Sequence, residues 1–334
     1  MRRLALICAL ALALAPWSAR AQTPFYQGKT IDLVVGFGVG GGYDLWARAL
    51  SRHWGRHLLG RPNIVVRNMP GAGSFNAASY MFSLAPRDGT SVAVIARDAA
   101  LGPLTGAAGA RYDASRFNWI GTPSVEHSVC VAHGAARVKT AADLKTTELI
   151  VGDVGAGGAS RDYPMALSRL LGMKFRLVSG FAASSDIFLA MERGEVEGMC
   201  ESYDSVALRH ADWLADGRLR ILLQGGEKPH PALADVPFVP DLAATAEDRA
   251  ALSFLYSGEG IGRPFIAPPE TPPERVADLR AGFAETMTDP EFVADAKRAG
   301  LVVEPASGEH LESLVRALYA TPRSVIDRVA GLIK

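Results

Sequence analysis

The sequence predicts an α/β protein made of two strand–helix series, and three observations predict it. Its 334 residues exceed what one hydrophobic core usually serves. Short apolar runs alternate with stretches of helical period, the pattern of a largely parallel sheet covered by helices. A glycine-rich turn between a strand and a helix occurs once in each series, at 36–42 and at 155–158. Composition agrees: 49% hydrophobic, 21% charged and 8% aromatic residues describe a folded chain. The 35 basic and 35 acidic residues cancel, which argues against a general nucleic-acid binder. Three cysteines are too few for a disulfide scaffold.

Residues 1–21 read as a secretory signal peptide. Arg2 and Arg3 give a basic start, residues 4–15 are an unbroken apolar run, and Ala19-Arg20-Ala21 supplies a small-x-small cleavage pattern. Such a run is too short to span a bilayer comfortably, and no later stretch reaches the roughly 18 apolar residues of a membrane helix. The mature chain is therefore expected to be exported and soluble. Cleavage removes Arg2, Arg3, Arg20 and Cys8, leaving 32 basic against 35 acidic residues and one cysteine pair, Cys130 and Cys200. Both lie in apolar, strand-like runs, which admits a disulfide or two buried thiols.

In the first series, residues 31–37 read as a buried strand, followed by the glycine cluster and an amphipathic helix over 44–58. A strand at 63–67, a glycine-proline turn at 68–73, a helix from Ser74 and a strand at 91–96 complete it. The second series opens near Glu126 with a strand at 127–132 and a short helix at 140–145. Strands at 149–153 and 175–178 alternate with helices at 160–171 and 184–193, and strands at 196–200 and 219–223 close the series. Residues 225–240, rich in Pro and Gly, read as a linker. A strand at 261–267, a turn at 268–273 and a mostly helical tail follow, with capping signals at Thr271 and Ser307.

The first glycine loop contains G-x-G-x-x-G at Gly36, Gly38 and Gly41. A dinucleotide site would also need an acid about 20 residues on. Residues 45–87 hold no Asp or Glu at all. What survives is simpler. Glycines let the backbone turn sharply, and a helix start presents unpaired N–H groups and the positive end of its dipole, which suits a phosphate or a carboxylate. One such loop in each series can clamp a small anion between them; both can also be plain strand-to-helix turns.

The ordered motifs resemble the solute receptors of tripartite tricarboxylate transporters, the Bug-type periplasmic binding proteins. They are I-D-L-V-V-G-F-G-V-G-G-G-Y-D (31–44), N-M-P-G-A-G-S (68–74), A-P-R-D-G-T (85–90), V-K-T-A-A-D-L-K (138–145), G-A-G-G-A-S (155–160), M-E-R-G-E-V-E-G (191–198), A-P-P-E-T-P-P-E-R-V (267–276) and D-P-E-F (289–292). The resemblance implies a type II periplasmic-binding-protein fold, with lobe 1 over 22–123 and 256–334, lobe 2 over 124–255, and a ligand cleft between them. It also implies a monomeric periplasmic receptor that delivers a small carboxylate to integral membrane transporter subunits, without catalysis, cofactor or metal. Carried onto this chain, the ligand-holding positions are Phe37, Gly40, Gly41, Gly42, Tyr43 and Asp44 in lobe 1, and Gly157, Gly158, Ser160, Phe181 and Ser184 in lobe 2.

The chain departs from the family at several points. Gly38 and Val39 stand where prolines are common, Gly158 where a serine is common, and Glu201 where an aspartate is common; Glu201 is a candidate contact for a ligand ammonium. Arg97, at the end of the third strand, can take a carboxylate bidentately or pair with Asp98 or another acid. His53 and His57 have zinc-pair spacing but no nearby carboxylate in sequence, and read as surface or half-buried histidines. Arg48, Arg52 and Arg56 form a basic helical face, solvated or a docking patch for membrane subunits. With six arginines and no acid, residues 45–87 are expected to be locally basic. Two alternatives remain at this point: an exported α/β enzyme using the same cleft, although no G-x-S-x-G elbow is present, and an exported ligand-sensing domain.

Overall fold

The computed structural model describes residues 23–334; the segment read as a signal peptide, with Cys8, lies outside the described residues. β1 (Thr30–Val35) opens the first sheet with Ile31, Leu33 and Val35 fully buried. α1 (Gly42–Ser51), β2 (Asn63–Asn68), α2 (Phe75–Ser83), β3 (Ser91–Val94), α3 (Gly102–Thr105) and β4 (Asn118–Thr122) follow. β2 and β3 flank β1 in parallel. β3 is buried at all four positions because both faces are covered, whereas β2, at the edge, alternates exposed and half-buried residues.

The chain then crosses to a second sheet. In order it forms β5 (Ser128–His133), β6 (Leu149–Asp153), α4 (Ala159–Leu171), β7 (Phe175–Ser179), α5 (Ser184–Glu192), β8 (Gly198–Ser202), α6 (Tyr203–Arg209), α7 (Ala211–Ala215) and β9 (Leu219–Gly225). The strands lie in the order β7-β6-β8-β5-β9. After α8 (Ala246–Leu255) the chain crosses back, and β10 (Phe265–Ala267) inserts antiparallel between β3 and β4. α9 (Pro273–Thr288), α10 (Pro290–Arg298), β11 (Ala306–Ser307) beside β4, α11 (Gly308–Tyr319) and α12 (Arg323–Ile333) complete the chain. The result is two α/β lobes, each with its own sheet. The crossings run side by side, the Glu126 N–H donating to the Glu259 carbonyl at 3.0 Å. α12 packs on α8, α4 and α3 and so touches helices from both halves.

Several expectations change. The helix expected over 44–58 ends at Ser51, and residues 54–57 form a 3-10 turn. Trp54 is wholly buried, edge-on to Phe265 and Phe283, and a side chain on Gly55 would collide with the Pro62 carbonyl. That packing pulls the chain off the helical path. β4 was not legible, because its five residues pair with β10 and β11 from far along the chain. The expected linker is packed: buried Gln224 donates to the carbonyls of Leu233 and Val236 and accepts from the His230 N–H.

The basic segment is not basic in the fold. Arg48 pairs with Asp44, Arg52 with Asp295, Arg56 with Asp289 and Glu291, Arg67 with Asp32, and Arg87 with Glu270. His53 and His57 meet Asp295 and Asp289 from the same α10 region, at 3.0 and 2.7 Å. Arg52 and Arg56 therefore clamp the end of α1 to α10, through acids more than 230 residues away that no local count can include, while Arg48 pairs within its own helix.

Cys130 and Cys200 stand directly opposite on β5 and β8 and form a disulfide. Replacing both by serine should lower the unfolding free energy by ~4 kcal/mol on the chain-entropy model for the 70-residue separation, measured by urea unfolding. A loss below ~1 kcal/mol would mean that the unfolded chain gains little freedom from the cut.

Candidate functional site

The first glycine loop leaves β1 and turns into α1 under the control of Asp44. This buried carboxylate accepts the Gly40 N–H at 2.9 Å, the Asn68 amide at 2.8 Å and the Arg48 Nε at 2.9 Å. Asn68 also donates to the Phe37 carbonyl at 2.9 Å. These bonds together hold the Asp44 carboxyl below its usual range although partial burial opposes them. Phe37 and Tyr43 stack at 4.4 Å, and the Tyr43 hydroxyl, pushed up to about 12 by burial, accepts the Arg97 N–H.

The second loop leaves β6 and turns into α4. The Asp153 carboxylate accepts the Gly155 N–H and the Ser179 hydroxyl, and Ser160 Oγ accepts the Val154 N–H. Gly157 has φ +81°, donates to Asp162, and has no room for a side chain beside the Phe75 ring. A third segment, before α5, reaches the first loop directly. The Gly38 N–H donates to the Ala182 carbonyl at 3.0 Å, and Arg209 links the Gly40 carbonyl to Ser184 Oγ.

Between these segments lies a cleft of about 520 Å³. Three helix starts border it, at N-caps Gly41, Gly158 and Ala183; no N-cap side chain caps them, and at the third Asp186 accepts the Ala183 N–H. Arg161 and Asp186 donate their N–H groups to the Gly158 and Ala183 carbonyls, so it is the first two N–H groups of these starts, such as those of Tyr43, Ser160 and Ser184, that are left for solvent or a ligand. The structure places Phe37, Gly41, Gly42 and Tyr43 on the lobe 1 wall, Gly158, Ser160, Ser184 and Glu201 on the lobe 2 wall, and Arg97 between them. Gly40, Asp44, Gly157 and Phe181 do not line it. Gly40 and Asp44 shape the first loop; Gly157 packs one lobe on the other; Phe181 packs against the second lobe's core.

Arg97 is 3% exposed and already engaged: its Nε donates to Glu259 at 2.9 Å and its Nη1 lies 3.6 Å from Glu126. Glu126 also binds Arg263 at 2.6 and 3.2 Å, while Arg263 reaches Ser205 and lies over the Tyr43 ring. Tyr163 donates to Glu259 and Asp98. Gly42 has no side chain where Arg263 Nη1 stands, so this glycine admits the guanidinium at the start of α1. Asp98, Glu126, Glu259, Arg209 and Arg263 were missed. Their ion pairs and hydrogen bonds join residues far apart in sequence, and no local signal marks them. Ala183, also missed, carries one, as the N-cap of a helix start after Gly180.

Burial pushes the Asp98 carboxyl up to about 6 and that of Glu259 up to about 8, the latter against the pull of Arg97. A carboxyl raised in the folded state holds its proton more firmly there, so its stabilising effect is full below the unfolded value of 4.5 and is lost as pH rises toward 8. Urea unfolding between pH 5 and 8.5 should show declining stability that Glu259→Gln flattens; parallel curves would place the proton elsewhere. Asp44→Ala should speed hydrogen exchange at the Gly40 amide and cost ~1–3 kcal/mol, because Gly40 and Arg48 lose a buried partner. Unchanged exchange would free the loop from Asp44.

No protein-family model matches the chain. Among curated proteins, the UPF0065 protein in the gbd 5′ region of Cupriavidus necator is 26% identical over 296 residues, 84% of this chain and 82% of that protein. Among solved structures, the periplasmic binding protein BugD has a TM-score of 0.73 at 21% identity, over 92% of this chain and 100% of its own. MatC from Rhodopseudomonas palustris, with bound malate, has a TM-score of 0.70 at 22% identity, over 92% and 99%. The resemblance carried by the motifs thus extends to the architecture, and the chain has the two-lobed fold of the Bug-type periplasmic binding proteins.

Proposed function

We propose that this chain is a periplasmic solute receptor of the Bug type that closes its two lobes on a small carboxylate and delivers it to a tripartite tricarboxylate-type membrane transporter. The observation that carries the reading is the convergence of three helix starts, from both lobes, on one cleft. Such ends supply N–H donors and positive partial charge without a side-chain cation. The malate held by MatC supports a carboxylate as the ligand class. On this reading residues 1–21 direct export, lobe 1 spans 22–123 and 256–334, and lobe 2 spans 124–255, hinged at the two crossings. The receptor acts as a monomer, binds without catalysis or cofactor, and meets its membrane partner when closed.

Closure has visible fastenings. The Gly38–Ala182 hydrogen bond and the Arg209 bridge both join one lobe to the other across the cleft mouth. A ligand seated between the loops adds contacts to both lobes and favours this arrangement.

A thermal-shift screen over aliphatic, hydroxy and aromatic carboxylates tests the reading. A ligand present at 100 times its dissociation constant should stabilise the protein by ~2.7 kcal/mol. If no carboxylate raises the melting temperature while a sugar or an amine does, the reading is wrong.

A further inference from the structure

We infer that Asp98, Tyr163 and Glu259 form a proton lock between the lobes, a trio that holds a proton while the lobes stand closed and releases it when they part. The inference takes from the receptor reading above only the motion of two lobes, and adds what governs that motion. Tyr163 lies on α4, whose start lines the cleft with Gly158 and Ser160; Asp98 and Glu259 lie in the segments assigned to lobe 1. The Tyr163 hydroxyl stands 2.7 Å from Glu259 Oε1 and 3.2 Å from Asp98 Oδ1. A hydroxyl carries one hydrogen. Its bond to one carboxyl uses that hydrogen, so its bond to the other needs a hydrogen supplied by the acid. The bridge across the lobes is therefore complete only while Asp98 or Glu259 is protonated.

The charge balance of the junction points the same way. Asp98, Glu126 and Glu259 bring three buried carboxyls against two buried guanidiniums, those of Arg97 and Arg263. Arg263 holds Glu126 and Arg97 reaches Glu259, while Asp98 forms no ion pair among the described residues. Glu259 Oε2 is buried without a hydrogen-bond partner among the described residues, which costs less in a neutral carboxyl than in a carboxylate. Also facing the pair are buried Tyr256, whose ring lies 4.3 Å from that of Tyr163, and Asp162 on α4. Asp162 shares a cavity of about 280 Å³ with Asp98, is pushed up to about 7 by burial and by Asp98, and pairs with Arg161 at 3.2 Å. Deprotonation thus breaks the hydrogen-bonded bridge and leaves like charge on both sides of the seam. Opening lets water reach Asp98 and Glu259 and returns them toward the ordinary carboxylate range. A carboxyl raised in the closed form favours closure fully below that range, and the effect is lost as pH rises toward about 8.

Small-angle X-ray scattering of the ligand-free mature protein, followed from about pH 5.5 to about pH 9, reads the ratio of open to closed molecules and tests this. Within that window the ratio should rise by about tenfold per pH unit, the slope that release of one proton gives. Asp98→Asn keeps a donor for the Tyr163 oxygen at every pH, and should hold the ratio low and flat. Tyr163→Phe removes the bridge, and should give a higher ratio with a shallower slope. A wild-type ratio that does not move with pH overturns the inference. So does either variant, shown to be folded by its melting curve, that keeps the wild-type slope and level; should neither fold, the wild-type slope decides. No ligand enters the measurement, so its failure leaves the receptor reading standing. A carboxylate screen that fails beside an intact slope removes the receptor reading instead, and leaves a two-lobed protein governed by a proton.

Discussion

The buried ion cluster at the two chain crossings is the constraint on which the rest of the structure depends. Glu126 lies just before β5, and Glu259 and Arg263 lie just before β10, so each crossing contributes charge to the same small volume. Arg97 enters from the end of β3 and Ser205 from α6. Removing one partner from such a group leaves an uncompensated buried charge, which costs about 3–5 kcal/mol in comparable cases. The cluster therefore fixes the junction between the lobes chemically as well as sterically. It also sets the cleft wall, because Arg263 reaches the start of α1 past Gly42 and Arg97 meets the Tyr43 hydroxyl.

The glycines around the cleft divide into two physical roles. Gly41, Gly42 and Gly158 lie on its wall, where a bare backbone exposes N–H groups. Gly157 instead gives the space that Phe75 fills, and so lets the second loop rest on the first lobe. A strand-glycine-helix pattern announces both roles alike. Asp44 makes the same point from the polar side: it belongs to the ligand loop in sequence, yet its carboxylate is spent on holding that loop's shape.

Electrostatics at the surface and in the cleft share one theme, local compensation. The arginines in and just after α1 look like a basic face until the fold is complete: Arg48 turns to Asp44, and Arg52 and Arg56 form a clamp with acids from residues 289–295. Near the cleft, Arg97 and Arg263 meet Glu126 and Glu259 in the same way, whereas Arg209 donates to neutral oxygens. The helix ends that border the cleft add positive partial charge that is directional and acts at close range.

Much of the architecture was legible in the sequence, because strands and helices announce themselves through local periodicity and glycine-rich turns. Eleven described strands were nonetheless not all visible: β4 and β11 are short and owe their pairing to each other and to β10, across more than 140 residues. The two glycine loops that border the cleft were legible for the same local reason, whereas Phe37, Tyr43, Gly158, Ser160 and Ser184 on its wall came from the resemblance that the motifs carry. Residue order by itself determined two strand–helix series, two glycine turns and a cysteine pair, Cys130 and Cys200, beyond the apolar N-terminal run. Tertiary structure alone decided that Cys130 and Cys200 are bonded, that Asp44 and Gly157 turn away from the cleft, and that Arg97 is already paired. The physical reason is range. Backbone conformation answers to near neighbours, whereas burial and charge compensation depend on whichever distant residues the fold brings within a few ångströms.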